Sequence, residues 1–320
     1  MIKFKINNPL LLLIFTFGYT QLYISCNNDD DEVILNAPTI ANVEIGSGNN
    51  MTGMIGRDFH FEMDVVAGEL IETVRILVQQ RDDQNYVQEW SHEINWDEYQ
   101  GHKNANVHKH FNVPKDAVEG LYDFVIIIED QNGASLEEVR EIELIDPANL
   151  PVDPTIRLFS ISQKDGQSDF QTFYSMDTGF AKPTNKTLAK GDFIDGWTSI
   201  GQVKNDGMLY FLLIKKSLNH KPETVDAIDF SKAIVYDVIE HKYIEERTNL
   251  ANFLLLTEWG ERDRPEFIIG DSEDNNLPSS GLINGDKTWE NGMYYLGVVY
   301  TNTTHELSVH YYMEVEIVGF

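Results

Sequence analysis

The chain has little cysteine and little positive charge. Its 320 residues include a single cysteine, Cys26, so no intrachain disulfide can form and packing has to stabilise the fold. Its 24 lysine and arginine residues are outnumbered by 52 aspartate and glutamate residues, which gives a formal net charge of −28. A surface this acidic repels nucleic-acid phosphates and anionic lipid headgroups. These shortages exclude a disulfide scaffold and argue against nucleic acid as a partner.

Long apolar runs are also missing, because no segment reaches the ~20 consecutive apolar residues that a membrane-spanning helix needs. A shorter apolar run at residues 10–17 follows Lys3 and Lys5. A basic start followed by a short apolar run is typical of a secretory signal peptide. We therefore predict that residues 1–25 are a signal peptide.

Cys26 stands directly after this segment and after the small residue Ser25. The arrangement resembles a bacterial lipobox, in which the signal peptidase cuts before the cysteine and acyl chains such as palmitate are attached to it. The alternative is an unmodified thiol beside an ordinary cleavage site. We favour lipidation of Cys26, which also leaves no thiol for cysteine catalysis.

The residues after Cys26 are polar and mostly acidic at positions 27–32. Such a run is a solvated tether, and it also resembles the export signal of surface lipoproteins in Bacteroidota-type outer membranes. We predict that residues 26–37 are a lipidated tether. The expected location is the outer membrane, with the body of the protein facing the cell exterior.

Residues 38–145 carry strand patterns. Apolar and polar residues alternate over residues 58–65, which predicts a strand with Phe59 and Phe61 facing inward and His60 facing outward. Residues 73–78 and 122–128 form two further β-rich runs, and Asn132-Gly133 is a hairpin turn signal. Several short strands with such turns indicate an immunoglobulin-like β-sandwich.

Residues 146–153 contain Pro147 and Pro151, and Pro154 follows directly. We predict that this proline-rich segment, residues 146–153, is a linker. Residues 154–320 predict a second β-dominated domain, in which residues 208–214 form a buried strand and residues 243–256 place apolar side chains at helical spacing. The predicted fold class is therefore mainly β: an immunoglobulin-like sandwich followed by a β-rich, sandwich-like domain with one or two helices.

Three histidines in the first domain form a candidate metal site. His108 and His110 are two residues apart, so on a strand both point to one face, and His60 lies on the polar face of its own strand. If the strands pair, the three imidazoles converge as ligands for zinc or copper, with His102 or Glu62 as a fourth ligand. The alternative is a set of solvated surface histidines.

The first domain resembles a family of Bacteroidota lipoproteins catalogued as domain of unknown function 4625. The resemblance rests on the Gly-x-Asp-x-His strand around His60, the His-x-His pair before Pro114, and the Gly-x-Tyr at residues 120–122. In that family a second His-x-His pair follows the tyrosine, whereas here Asp123 and Val125 occupy those positions. The resemblance implies a partly retained histidine set.

Motifs for catalysis are missing. The sequence has no Gly-x-Ser-x-Gly elbow, phosphate-binding loop or dinucleotide fingerprint. We therefore predict a non-enzymatic surface lipoprotein that binds a glycan, a metal or an envelope protein. The alternative is a dedicated zinc or copper module that uses His60, His108 and His110, and a third reading, a hydrolase in the second domain, has no motif to support it.

Overall fold

The computed structural model describes residues 35–164, 169–182, 184, 186–252 and 267–320. Cys26 and the predicted signal peptide lie outside these residues. The described residues form β-strands and short 3-10 turns, and none of their helical segments is long and apolar enough to cross a bilayer. The prediction of a mainly β protein is confirmed.

Eight strands form the N-terminal unit, residues 39–145. They are β1 (Thr39–Ile45), β2 (Thr52–Met54), β3 (Asp58–Val66), β4 (Ile71–Gln80), β5 (Ser91–Trp96), β6 (Asn104–Asn112), β7 (Gly120–Asp130) and β8 (Ser135–Ile145). A three-stranded antiparallel sheet has the order β1-β3-β6, and a five-stranded sheet has the order β2-β8-β7-β4-β5. The hairpin predicted at Asn132-Gly133 joins β7 to β8.

The two sheets of the N-terminal unit enclose one core. Phe61 on β3 has no exposed surface, lies 5.3 Å from Phe124 of β7, and stacks on Trp96 of β5 with ring centroids 5.7 Å apart. The inward-facing residues predicted on β3 are all buried: Phe59, Phe61, Met63 and Val65. Alternation along β3 therefore directs one set of side chains into the sandwich and the other set to its outer face.

Nine strands form the C-terminal unit, residues 155–318. They are β9 (Thr155–Lys164), β10 (Gln171–Ser175), β11 (Gly179–Phe180), β12 (Thr187–Ala189), β13 (Phe193–Lys215), β14 (Ala233–Ala251), β15 (Phe267–Ile268), β16 (Gly292–Asn302) and β17 (Leu307–Val318). The first half of β13 pairs with β9 and the second half with β16, while β14 pairs along both halves. β13 therefore connects the two parts of a single curled sheet.

Both faces of β13 are covered near its end, as expected for the apolar run at residues 208–214. Leu209 and Phe211 belong to the main core, whereas Tyr210 and Leu212 belong to a smaller core on the opposite face. Residues 216–232, which connect β13 to β14, contribute Val225 and Ile228 to that smaller core. This connection, called the β13–β14 crossover below, thus folds back over the sheet.

The prediction of a helix over residues 243–256 is wrong for the described part of that range. Residues 243–251 belong to β14, where Ile244 pairs with Asn205 and Leu250 pairs with Ile200 of β13; residues 253–256 lie outside the described residues. Backbone hydrogen bonds to β13 satisfy the peptide groups of this segment. Pairing with β13 therefore makes it a strand, although its four apolar side chains have helical spacing.

The predicted linker is docked between the two units. Leu150 and Val152 are buried and form a small core with Leu307 of β17. Arg57 makes a bidentate ion pair with Asp153, with N–O distances of 2.6 and 2.7 Å. The linker thus contributes packing and an ion pair in addition to joining the units.

Candidate metal site

The three predicted histidines meet on the outer face of the three-stranded sheet. β3 and β6 pair in a register that places His60 opposite His110 and Glu62 opposite His108. The ring centroid of His60 lies 5.1 Å from the centroids of both His108 and His110, and each of the three offers a nitrogen within 4.8 Å of the others. We call these three residues the histidine cluster.

The histidine cluster is partly covered by the rest of the molecule. His60 is 6% exposed, whereas the side chains of His108 and His110 are 51% and 36% exposed. The interpretation of all three as solvated surface histidines is therefore wrong for His60. Its burial has a tertiary cause, because Glu44 of β1 and Glu223 of the β13–β14 crossover both lie within 4 Å of its ring nitrogens.

A carboxylate accompanies each imidazole within the N-terminal unit. Asp58 Oδ2 lies 2.6 Å from Nδ1 of His110, Glu62 Oε2 lies 3.6 Å from Nδ1 of His108, and Glu44 Oε1 lies 3.8 Å from Nε2 of His60. The Asp58 contact is within hydrogen-bond distance, so Asp58 can orient the ring of His110 as carboxylates commonly orient metal-binding imidazoles, whereas Glu62 and Glu44 lie beyond that distance. Nε2 of His60 is buried and has no hydrogen-bond partner.

A fourth carboxylate reaches the cluster from the C-terminal unit. Glu223 belongs to the β13–β14 crossover, and its Oε1 lies 3.1 Å from Nε2 of His110 and 3.6 Å from Nδ1 of His60. Its other oxygen accepts a hydrogen bond from the Ser47 hydroxyl at 3.2 Å. Glu223 therefore connects the two units through the histidine cluster.

The charges in this group stabilise one another. The hydrogen bond to Glu223, opposed by burial and supported by Asp58, raises the pKa of His110 to about 9. Burial alone would raise the pKa of Glu223, but hydrogen bonds to His110 and His60 hold that pKa well below its ordinary value. Burial opposes charge on His60 as well, yet its interactions with Glu223 and Glu44 raise its pKa.

The cluster borders a cleft between the two units. This cleft has a volume of about 260 Å³, and its lining includes Asp58, His60, Glu223 and His310. His310 is on β17, and burial lowers its pKa despite the nearby carboxylate of Glu223. The cleft gives a solvated approach to an otherwise partly buried set of ligands.

The other residues considered from the sequence have different positions. His102 is exposed and precedes β6, eight residues before His110, so it does not join the cluster. Glu62 does lie beside it. Lys109 points away from the imidazoles, as strand alternation predicts, and pairs with Glu98.

The two positions at which the family carries its second histidine pair also lie far from the histidine cluster. Asp123 and Val125 lie on β7, which belongs to the five-stranded sheet, and Asp123 pairs with Arg81 at 3.5 Å. The histidine cluster belongs to the other sheet. The substitution of that second pair therefore removes no ligand from the cluster.

Sequence reasoning missed Glu223 and His310. Glu223 is one of 52 acidic residues, and no spacing rule distinguishes it from the others. His310 stands out only as one of four histidines in the second half of the chain. Their contribution follows from the way the β13–β14 crossover and β17 approach the N-terminal unit.

We expect the unfolding free energy of the metal-free protein to fall between pH 6.5 and 9. A histidine pKa that is higher in the folded state stabilises the fold fully below 6.5, and this contribution is lost as the pH rises through about 9. Screening at a side chain that is 36% exposed reduces the effect to about 1–2 kcal/mol. His110 is faced by Asp58, Glu223, His60 and His310.

Denaturant unfolding in the presence of a chelator at pH 6, 7.5 and 9 measures this slope. The His110→Gln protein is the matched control, since glutamine retains hydrogen bonding without titrating in this range. An equal slope in both proteins would contradict the assignment of the effect to His110.

The fold and the site define a β protein of two units with a histidine and carboxylate cluster where the units meet. Residues 24–145 match the family model described as Domain of unknown function (DUF4625), which confirms the family predicted for the first domain. This match includes the whole histidine cluster but not Glu223. The C-terminal unit lies outside it.

No curated protein matches the chain. Among solved structures, the chain is similar to the crystal structure of dimeric latent PorU from Porphyromonas gingivalis, with 8% sequence identity and a TM-score of 0.30. The alignment covers 91% of this chain and 21% of that chain, so the chain spans about a fifth of that protein's length.

Proposed function

We propose that this protein is a lipid-anchored, non-enzymatic binding module that holds one zinc or copper ion with His60, His108 and His110. The observation that carries this proposal is the convergence of three imidazoles whose nitrogens lie within 4.8 Å of one another. Zinc and copper both favour imidazole nitrogen ligands. For the predicted surface binding module, the proposed ligand is therefore a zinc or copper ion.

The distances support a site that closes by small side-chain movements. Nδ1 of His60 and Nε2 of His110 are 3.5 Å apart, and two imidazoles on a tetrahedral zinc ion have nitrogens about 3.3 Å apart when the zinc–nitrogen distance is about 2.0–2.1 Å. His108 is half exposed, so its ring can rotate toward the other two at little packing cost. The buried His60 supplies the fixed part of the site.

Calorimetric titration of Zn²⁺ and Cu²⁺ into chelator-stripped protein tests the proposal. We expect one ion per chain, and we expect His102→Ala to bind it as tightly as the wild type because His102 is exposed and separate from the cluster. If the wild-type protein binds neither ion stoichiometrically, the proposed function is overturned, and glycans and proteins are then the candidate ligands.

The proposed anchor is acylated Cys26, with residues 27–32 as an acidic tether that directs display on the outer face of the outer membrane. The argument for it is the order of basic residues, apolar run and cysteine in the sequence. Attached acyl chains provide firm membrane binding when two or more are present. On this proposal the metal site stands outside the cell, joined to the membrane by the acidic tether.

We expect Cys26→Ser to move the protein from the membrane fraction to a soluble fraction. The change removes the thiol that would receive the lipid and leaves the preceding apolar run intact. Fractionation and mass spectrometry of the N-terminal peptide measure the outcome, and Ser25→Ala is the neighbouring control. An unmodified Cys26 in the wild type, or a membrane-bound Cys26→Ser protein whose N-terminal apolar run has been removed, would contradict the anchor.

A further inference from the structure

We infer that Glu223 is a further metal ligand, so that the site is completed between the N-terminal and C-terminal units and the bound ion fastens one unit to the other. This inference rests on the proposed function, because it requires that the histidine cluster hold a metal. It goes further by adding a ligand from outside the family-matched region and by giving the second unit a role in the site.

Three ligand atoms already form a triangle of suitable size. The distances are 3.5 Å between His60 Nδ1 and His110 Nε2, 3.1 Å between His110 Nε2 and Glu223 Oε1, and 3.6 Å between Glu223 Oε1 and His60 Nδ1. A tetrahedral zinc ion with bonds of about 2.0–2.1 Å separates its ligand atoms by about 3.3 Å. The triangle therefore matches one face of such a site, and His108 can supply the fourth ligand.

Glu223 is held in position from both sides along the chain. The Tyr312 hydroxyl donates to the carbonyl of Pro222 at 2.7 Å, and the amide of Val225 donates to the Thr301 hydroxyl oxygen at 3.0 Å. The hydroxyl of Ser47 donates to Oε2 of Glu223, which leaves Oε1 directed at the histidines. A carboxylate fixed in this way loses little freedom on binding a metal.

The neighbouring carboxylates are less suited to ligation at this position. Asp58 holds Nδ1 of His110, which is the nitrogen opposite the one that faces Glu223, so Asp58 orients that ring. Glu44 lies nearest to Nε2 of His60, on the other side of that ring. Glu223 contacts two histidines at the nitrogens that face each other, whereas each of these carboxylates contacts one.

A bridging ion would change the contact between the units. Glu223 and His110 share a hydrogen bond and opposite charges. When the ion enters, His110 releases its Nε2 proton to solvent, and bonds from both residues to the metal replace that hydrogen bond. Because the ligands come from β3, β6 and the β13–β14 crossover, separation of the units would require loss of a metal bond. Ion binding therefore favours the docked arrangement over any separated one.

The test compares zinc affinity in the wild type, Glu223→Gln and Glu306→Gln, measured by competition with a chelator of known affinity. Glu306 lines the same cleft, so both variants remove one negative charge near the site, but Glu223 also contacts the histidines. We expect affinity to fall by about 100-fold or more in Glu223→Gln, at or beyond the upper end of what loss of a merely orienting residue costs, and by less than about threefold in Glu306→Gln. Glu223→Asp, which keeps the charge and shortens the side chain, should also bind zinc more weakly.

Hydrogen exchange of the β13–β14 crossover provides a second readout. Zinc should slow exchange at residues 220–229 in the wild type and not in Glu223→Gln. If both glutamine variants bind zinc like the wild type, Glu223 is not a ligand and the proposed function stands. If the wild type binds neither Zn²⁺ nor Cu²⁺, the proposed function and this inference both fail. Equal losses in the two glutamine variants would assign the effect to charge alone and overturn the inference.

Discussion

Zinc affinity is expected to fall by more than about 100-fold in the His60→Ala protein. His60 occupies the centre of the cluster, where Nδ1 faces both His110 and Glu223 and the ring contacts that of His108. Loss of a residue that only orients a ligand costs about 10- to 100-fold in metal affinity, and loss of a buried ligand costs more. Calorimetric titration or chelator competition measures the change.

Two controls separate ligand loss from damage to the fold. His102→Ala removes an exposed imidazole outside the cluster and should leave affinity unchanged. His60→Gln preserves most of the side-chain volume and polarity, and it should lose binding as His60→Ala does while keeping the wild-type circular dichroism spectrum. Tight one-to-one zinc binding by a folded His60→Gln protein would exclude His60 as a ligand.

Substitution of Phe61, which follows His60 on β3, should strongly lower the stability of the fold. Phe61→Ala is expected to lower the unfolding free energy of the N-terminal unit by about 3–5 kcal/mol, because it removes a fully buried ring and leaves a cavity between the sheets. The lost ring stacks on Trp96 and contacts Phe124. Denaturant unfolding followed by circular dichroism and tryptophan fluorescence measures the loss.

Phe61→Leu and Val66→Ala are the matched controls for this change. Leucine keeps most of the buried apolar volume, so the loss should be clearly smaller. Val66 is 47% exposed at the end of the same strand, so its truncation should cost less than about 1 kcal/mol. A Phe61→Ala protein as stable as Val66→Ala would show that the two sheets do not depend on this ring.

On β3, the alternation of apolar and polar residues predicts the direction of each side chain but not its exposure. The period of two correctly predicted that Phe59 and Phe61 face the core and that His60 faces the other way. It also placed His108 and His110 on one face of β6, and strand pairing then brought them to His60. The alternative interpretation, in which His60 is a solvated surface histidine, is wrong, because only 6% of its surface is exposed.

β14 shows the limit of the same method in the C-terminal unit. Four apolar residues at helical spacing predicted a helix, but residues 243–251 extend the long ladder with β13. A local pattern of this length fits either structure, and hydrogen bonding to a strand far away in sequence decides between them. The buried strand at residues 208–214 was predictable because an unbroken apolar run requires cover on both faces.

The sequence by itself determined the strand-rich class, the inward face of β3, the family of the first domain and the three histidines that converge, because each depends on local alternation, composition or a short motif. The tertiary structure alone decided that His60 is buried and that Glu223 meets His60 and His110. Glu223 lies 163 positions after His60, and no local pattern links them. Their contact depends on how Tyr312 and Thr301 of the C-terminal unit hold the β13–β14 crossover, because that position brings Glu223 to the N-terminal unit.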